Sequence, residues 1–281
     1  MYASRTLKLA LAVIAVFLAL PLLVRIFEAR LAFFPIEGET LTPREFGVEF
    51  ERISVVTKDG ERLQAWRLLH PSPRALVVYF HGNGGNLSVW APILSGIARQ
   101  GYSVLAFDYR GYGGSTGRPS ESGLYNDVEA VVQQFWERTD RTVPVIYWGR
   151  SLGTVMAAYA STVHAPNGLI LESGFPDARS LVRSSPVLAF LAMFSSYRFT
   201  GADFLRGATI PVLVVHGDND HVVPFPQGRA LFDRVTGPKQ FFTIRGGDHN
   251  DAAPRDPEPY WKAVAQLAAD AEARMRANQP P

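Results

Sequence analysis

Short apolar runs alternate with longer amphipathic or small-residue stretches along most of the chain. Short apolar runs bounded by turn residues are typical of buried strands, and longer stretches with a period of about 3.6 residues are typical of helices. The predicted strands are 50–56, 63–69, 75–80, 103–107, 143–148, 168–171, 212–215 and 240–244. The predicted helices are 89–99, 121–138, 152–163, 225–234 and 257–276. This alternation predicts an α/β fold, with a mostly parallel sheet covered by helices on both faces and an initial hairpin around Asp59-Gly60.

The stretch 177–204 interrupts the alternation. It is rich in Leu, Phe and Ala and contains a Ser-Ser-Pro break at 184–186. In a sheet of this kind, a ligand site lies at the carboxyl ends of the strands. We interpret the stretch either as a short lid that gives such a site an apolar wall, or as a helical connector packed on the surface.

The amino-terminal part of the chain has a different pattern. Residues 9–24 carry no charge and lie between Lys8 and Arg25. A membrane-spanning helix needs about 20 mostly apolar residues, so the stretch predicts a single-pass anchor. The predicted organisation is an anchor and tether at 1–43 and a globular domain at 44–281. A cleaved signal peptide and a buried helix are the alternatives, although no small-x-small cleavage site follows residue 24.

Composition narrows the function classes. The chain has 281 residues, of which 47% are hydrophobic, so it can bury a large core. Its formal net charge is only +2, which predicts no nucleic-acid surface. The absence of cysteine excludes disulfides and a cysteine nucleophile.

The most informative motif is Gly-Arg-Ser-Leu-Gly at 149–153, between a predicted strand and a predicted helix. A serine at a tight strand-to-helix turn is held in a strained conformation with its hydroxyl exposed. We therefore expect Ser151 to be a nucleophile. Leu152 begins the helix, and its N–H can face a developing oxyanion.

A serine nucleophile needs a histidine to take its proton and a carboxylate to orient that histidine. In this architecture the three residues follow in the order Ser, Asp or Glu, His. The histidine is predicted to be His249, in the loop after the strand 240–244. Asp220 and Asp218, after the strand 212–215, are both candidate acids; we favour Asp220 because Asp218 fits a turn. Glu172 is a third candidate.

The segment that carries the candidate acids has a second interpretation. His216, Asp218, Asp220 and His221 resemble a metal-binding cluster. A binuclear zinc pattern would place a histidine where Asp218 stands and would need further histidines. We therefore predict no metal, and we interpret His216 and His221 as structural hydrogen-bonding residues.

A glycine-rich loop, His-Gly-Asn-Gly-Gly-Asn at 81–86, follows the predicted strand 75–80. Its backbone N–H groups can point at a substrate oxygen, and the N–H of Asn83 would be a second oxyanion donor beside that of Leu152. The loop lacks the spacings of nucleotide-binding loops, so no cofactor is predicted. His81 is interpreted as a buried histidine that braces the loop.

These motifs, together with Phe-Asp-Tyr-Arg-Gly-Tyr-Gly-Gly-Ser at 107–115 and Gly-Asp-His at 247–249, resemble those of the α/β-hydrolases. They are similar to the membrane-anchored serine hydrolase group, which includes the abhydrolase-domain protein depalmitoylases and their bacterial relatives. The resemblance implies the α/β-hydrolase fold and places the acid at Asp220. It also implies that Arg110 braces a loop beside the site.

The expected function is therefore a cofactor-independent serine hydrolase of carboxylic esters or thioesters, with Ser151, His249 and Asp220 as its triad. The expected substrate is a small or lipid-like molecule with an apolar acyl group. The expected location is the bacterial inner membrane, or the periplasm or exterior if residues 9–24 are cleaved. A peptidase of short peptides and a catalytically silent membrane-tethered partner protein are the alternatives. The oligomeric state stays open.

Overall fold

A computed structural model describes residues 2–138, 142–183, 185–251 and 256–277. Within the first helix, the side chains of residues 2–6, 9–10 and 12–18 also lie outside the description. The strands are β1 Phe34–Pro35, β2 Glu51–Val56, β3 Arg62–Leu68, β4 Leu76–Phe80, β5 Gly84–Gly85, β6 Ser103–Phe107, β7 Val145–Arg150, β8 Gly168–Glu172, β9 Val212–Gly217 and β10 Lys239–Ile244. The helices are α1 Tyr2–Ala32, α2 Leu87–Arg99, α3 Glu121–Arg138, α4 Leu152–Val163, α5 Ala178–Val182, α6 Pro186–Ala192, α7 Gly201–Phe204, α8 Phe225–Arg234 and α9 Pro257–Ala277, with a 3-10 helix at Pro43–Phe46.

Eight of the described strands form one sheet, in the order β2-β3-β6-β4-β7-β8-β9-β10. The pairs β2–β3 and β3–β6 are antiparallel, and every other neighbouring pair is parallel. The predicted hairpin is confirmed: its turn closes where the Gly60 N–H donates to the Thr57 carbonyl at 3.0 Å. The predicted α/β architecture with a mostly parallel sheet is confirmed as well.

Successive strand residues face opposite sides of the sheet, so each side has its own hydrophobic core. In β4, Val78 and Phe80 join the core that includes α3, α4 and α8, whereas Val77 and Tyr79 join the core that includes α2 and α9. Because both sides are covered, the central strands are apolar along their length rather than alternating with polar residues. The covered sheet directs the carboxyl ends of β4, β7, β9 and β10 toward one edge.

The amino-terminal helix α1 ends against the globular part of the chain. Val24 is buried, and Phe33 follows the helix at 3% exposure in the core shared with α3 and α4. Among the residues whose side chains are described, the structure contains no helix that is both long and apolar enough to cross a membrane. The predicted span at 9–24 is therefore not supported; most side chains of that stretch lie outside the described residues.

The stretch 177–204 folds into the short helices α5, α6 and α7. Asp177 begins α5 as its N-cap and accepts a 2.8 Å hydrogen bond from the Ser180 N–H. Ser185 begins α6 in the same way, immediately before Pro186. Glu121, at the start of α3, accepts hydrogen bonds of 2.6 Å from the backbone N–H groups of Arg198 and Phe199. The contacts with Glu121 attach the carboxyl-terminal part of the stretch to α3.

Candidate active site

Ser151 lies at the turn between β7 and α4. Its backbone angles are φ 53° and ψ −120°, which a residue with a Cβ adopts only at an energetic cost. The strain is held in place because the Ser151 N–H donates to the Glu172 carbonyl at 2.9 Å and the Ser151 carbonyl accepts from the Thr154 N–H at 3.0 Å. The structure thus forms the strained strand-to-helix turn that the motif predicts.

The glycines on either side of Ser151 allow the turn to close. A Cβ on Gly149 would lie 2.1 Å from the Gly153 carbonyl oxygen, and a Cβ on Gly153 would lie 1.9 Å from the Phe80 carbonyl oxygen. Both distances are well inside van der Waals contact, and both atoms belong to the backbone. The helix α4 can therefore approach β4 and β7 closely only with glycine at these positions.

Loops from two other strands bring a histidine and a carboxylate to Ser151. His249 lies after β10, and its Nε2 is 3.1 Å from Ser151 Oγ. Its Nδ1 is 2.8 Å from Oδ2 of Asp220, which follows β9. The Asp220 Oδ1 accepts hydrogen bonds from the backbone N–H groups of Val222 and Val223 at 3.0 and 2.7 Å. The three predicted residues thus form one hydrogen-bonded series.

The two other candidate acids lie elsewhere. Asp218 Oδ1 accepts a 2.6 Å hydrogen bond from the Gly246 N–H, which is the turn role that its position suggests. Glu172 is buried, and its Oε2 accepts hydrogen bonds from Trp148 Nε1 and the Tyr260 hydroxyl, both at 3.1 Å. The arrangement therefore favours Asp220 as the partner of His249.

The histidines of the metal interpretation have separate surroundings. His216 is fully buried, its Nε2 lies 2.8 Å from the Val223 carbonyl oxygen, and burial lowers its pKa. His221 is exposed and contacts Asp248. The residues that the structure describes contain no group of three or more potential metal ligands.

The glycine-rich loop lies on the other side of Ser151. Asn83 and Leu152 both line the cavity that contains Ser151 and His249. The Tyr112 hydroxyl donates a 2.8 Å hydrogen bond to the Asn83 carbonyl, which fixes the peptide that follows the predicted donor. His81 is fully buried beneath the loop, and burial lowers its pKa to about 4, so it is neutral at physiological pH.

Ser151 opens into a cavity of about 750 Å³. Its walls are mostly apolar and come from α2, the stretch 177–204 and the end of α1. Leu181, Leu188 and Phe199 from 177–204 are among the lining residues, so the structure favours the lid interpretation over a surface connector. The size is within the range of pockets that bury most of a small organic molecule.

Several contributors to this site, among them Arg150 and the end of α1, were not predicted. Arg150, the variable residue of the serine motif, is buried and donates 2.8 Å hydrogen bonds from Nη2 to the carbonyl oxygens of His249 and Asp251. The end of α1 supplies part of the cavity wall. In the sequence, the signal for Arg150 was a basic residue at the variable position of the serine motif.

The loop-bracing role implied for Arg110 is seen in its hydrogen bonds to Asp127 and Asp59.

Comparison with known proteins identifies the family to which the chain belongs. A family model described as "Serine aminopeptidase, S33" matches residues 71–204. Protein bem46 of Schizosaccharomyces pombe is 32% identical over 248 residues, covering 82% of this chain and 80% of bem46. Alpha/beta hydrolase domain-containing protein 17B of Xenopus laevis is 31% identical over 191 residues, covering 64% of this chain and 62% of that protein.

A solved structure, the esterase Pf2001 of Pyrococcus furiosus, superposes with a TM-score of 0.67 at 17% identity, covering 85% of this chain and 97% of that one. At that identity the likeness concerns the fold alone. The chain belongs to the α/β-hydrolase superfamily, and the predicted resemblance and fold are confirmed. The protein is therefore a hydrolase.

Proposed function

We propose that this protein is a serine esterase or thioesterase that forms an acyl-enzyme on Ser151. The observation that carries the proposal is the series Ser151 Oγ, His249 and Asp220, with contacts of 3.1 and 2.8 Å. A serine hydroxyl is a weak nucleophile unless a base within hydrogen-bond distance takes its proton. The series supplies that base and the carboxylate that orients it.

In the first half-reaction, Ser151 Oγ attacks the carbonyl carbon of the substrate while His249 Nε2 takes the hydroxyl proton. The Asp220 carboxylate accepts a hydrogen bond from His249 Nδ1–H, which keeps Nε2 free as the base and stabilises the imidazolium that forms. The backbone N–H groups of Asn83 and Leu152 then stabilise the oxyanion; such a donor is typically worth about 3 kcal/mol. The imidazolium finally protonates the leaving alkoxide or thiolate.

In the second half-reaction, water takes the place of the leaving group. His249 removes a proton from the water, the hydroxide attacks the acyl carbonyl, and the proton returns to Ser151 Oγ as the acid leaves. No step in either half-reaction requires a cofactor. The mostly apolar cavity beside Ser151 supports an apolar acyl group, since binding there removes acyl surface from water.

A peptidase of short peptides is the second candidate, because the matching family model is described as a serine aminopeptidase. An aminopeptidase must hold a free ammonium group, and a carboxylate is the natural partner. Glu28 lines the cavity, but its carboxylate already accepts hydrogen bonds from Ser195 and Ser196. The occupied carboxylate and the apolar walls favour the ester or thioester.

A substrate panel separates these candidates. The full chain is assayed with matched p-nitrophenyl esters, acyl thioesters and aminoacyl p-nitroanilides, with Ser151→Ala as the control. We expect turnover of esters or thioesters that Ser151→Ala abolishes. Turnover of aminoacyl anilides alone would replace the proposal by the peptidase. Absence of turnover on every substrate, together with no reaction of Ser151 with a fluorophosphonate, would leave a catalytically silent protein.

A further inference from the structure

The end of the amino-terminal helix forms part of the cavity beside Ser151. Val24, Glu28, Leu31 and Ala32 from α1, and Phe34 just after it, line the same cavity as Ser151 and His249. We refer to residues 24–34 as the α1 wall. These residues are distant in sequence from every catalytic motif, so their presence at the cavity is a property of the fold rather than of the motifs.

The α1 wall is attached to the domain by packing. Phe33 is 3% exposed, and its ring centroid lies 5.5 Å from that of Tyr197 and 6.1 Å from that of Phe199, both in edge-to-face contact. Tyr197 and Phe199 belong to the lid stretch 177–204 and also line the cavity. An aromatic cluster of this kind, with two of its three rings buried, holds the wall and the lid against each other.

The α1 wall is also attached to the lid by a charged hydrogen-bond cluster. Glu28 Oε2 accepts hydrogen bonds from the Ser195 hydroxyl at 2.8 Å and from the Ser196 N–H at 2.7 Å, and Oε1 accepts from the Ser196 hydroxyl. Hydrogen bonds to an ionised acceptor are about twice as strong as those between neutral groups. Glu28 is thus placed to fix the distance between the wall and the lid across the cavity.

A third attachment connects the wall to the glycine-rich loop. The strand β1 pairs with β5, the Ile36 N–H donates to the Gly85 carbonyl at 3.0 Å, and the Asn86 side chain donates to the Ile36 carbonyl at 3.1 Å. The loop that carries Asn83 and the wall that faces the lid therefore belong to one hydrogen-bonded unit. A change in the position of the wall would therefore shift both the glycine-rich loop and the contacts with the lid.

We propose that the α1 wall determines which acyl chains the enzyme accepts, with Ala32 lining the acyl pocket and Glu28 acting as a positioning residue that holds wall and lid together. The inference rests on the proposed function and deepens it, since it assigns the acyl group of the substrate to the space between the wall and the lid. A longer acyl chain would bury more apolar surface in this space. Each additional buried methylene would raise kcat/KM by about fourfold at most.

The test compares acyl-chain selectivity in the full chain and in two variants. Ala32→Phe adds bulk to the wall, and Glu28→Gln removes the charge while preserving size. The measured quantity is kcat/KM for p-nitrophenyl dodecanoate divided by that for the butanoate. We expect Ala32→Phe to lower this ratio by about tenfold or more, since it displaces several methylenes. We expect Glu28→Gln to lower it by about threefold or more, chiefly through KM of the dodecanoate.

Matched controls use the same substitutions outside the cavity. Ala19→Phe changes an exposed position of α1 that precedes the wall, and Glu49→Gln changes an exposed ion pair with Arg44; neither residue lines the cavity. Both should retain the parent ratio. If Ala32→Phe does not fold, Glu28→Gln decides the outcome. A parent ratio retained in every folded variant would overturn the inference.

Fluorophosphonate labelling of the parent protein separates this failure from that of the proposed function. Labelling at Ser151 together with unchanged selectivity in the variants would overturn the role of the wall alone. Absence of labelling at Ser151 in folded parent protein would overturn the serine mechanism, and with it the inference.

Discussion

Arg150 Nη2 donates a 2.8 Å hydrogen bond to the backbone carbonyl oxygen of His249. The residue that precedes Ser151 in sequence therefore holds the loop that carries the base to Ser151. Arg150 is 4% exposed, its guanidinium lies 3.5 Å from the Glu172 carboxylate, and Nη2 donates a second 2.8 Å hydrogen bond to the Asp251 carbonyl. Burial is the largest single influence on the pKa of Arg150 and lowers it, but the surrounding groups, Glu172 first among them, together outweigh burial and raise the pKa.

Arg150→Met is expected to lower kcat by about 10²-fold, because a misplacement of about 1 Å at a catalytic group has that effect. The same change leaves the buried Glu172 charge without its partner, which we expect to lower the free energy of unfolding by ~3 kcal/mol. Ester turnover and thermal unfolding measure the two effects separately.

The double variant Arg150→Met with Glu172→Gln distinguishes an effect on the position of His249 from an effect on stability. It removes the uncompensated charge, so the unfolding temperature should recover toward that of the parent while kcat stays low. Arg274→Met is the control, since Arg274 also donates to a backbone carbonyl, that of Thr209, far from the site. If kcat recovers along with stability in the double variant, Arg150 does not position His249.

Asp220→Asn is expected to lower kcat by about 10⁴-fold, because an amide can donate to His249 Nδ1 and so favour the wrong tautomer. Steady-state ester hydrolysis measures the loss. Asp218→Asn is the matched control two residues away: its side chain accepts a turn hydrogen bond from Gly246 rather than contacting His249. We expect near-parent kcat for Asp218→Asn, and a reversed ranking of the two variants would move the acid to Asp218.

Gly153→Ala tests the close approach of α4 to β4. The added Cβ would lie 1.9 Å from the Phe80 carbonyl oxygen, and no flexible side chain is available to move aside. We expect the free energy of unfolding to fall by ~3 kcal/mol, at the upper end of the usual cost of overpacking. Chemical denaturation followed by circular dichroism provides the measurement.

Gly96→Ala in α2 is the control for the glycine prediction. A Cβ there meets nothing within 4 Å, so alanine should stabilise the helix by up to about 1 kcal/mol. Equal unfolding free energies for Gly153→Ala and the parent would contradict the close-packed turn.

The strands and helices of the domain could be predicted because local sequence and burial agree. The predicted helices 121–138, 152–163 and 225–234 coincide with α3, α4 and α8. Periodicity and turn residues determine these bounds, and the apolar central strands follow from a sheet buried on both faces. The neighbourhood of Ser151, Asp220 and His249 was predictable for a related reason: in a parallel sheet, loops after the carboxyl ends of strands meet at one edge.

The contacts that no motif encodes could not be predicted. The pairing of Phe34 with Gly84 and the hydrogen bonds of Glu28 to Ser195 and Ser196 join segments far apart in sequence. An exposed-looking glutamate in a helix gives no signal of such a partner. The sequence likewise did not indicate that the end of the amino-terminal helix lines the cavity, because the apolar composition before it predicted a membrane anchor, with a cleaved signal peptide or a buried helix as the alternatives.

Covalent labelling of Ser151 tests the central claim most directly. The full chain is treated with a fluorophosphonate probe, digested, and mapped by mass spectrometry, alongside Ser151→Ala and Ser173→Ala. Ser173 is a suitable control because it also has a positive φ, 52°, at the end of a neighbouring strand. We expect one adduct, on Ser151, in the parent and in Ser173→Ala, and none in Ser151→Ala. An unlabelled Ser151 in folded parent protein, or equal labelling of Ser151→Ala, would contradict the account.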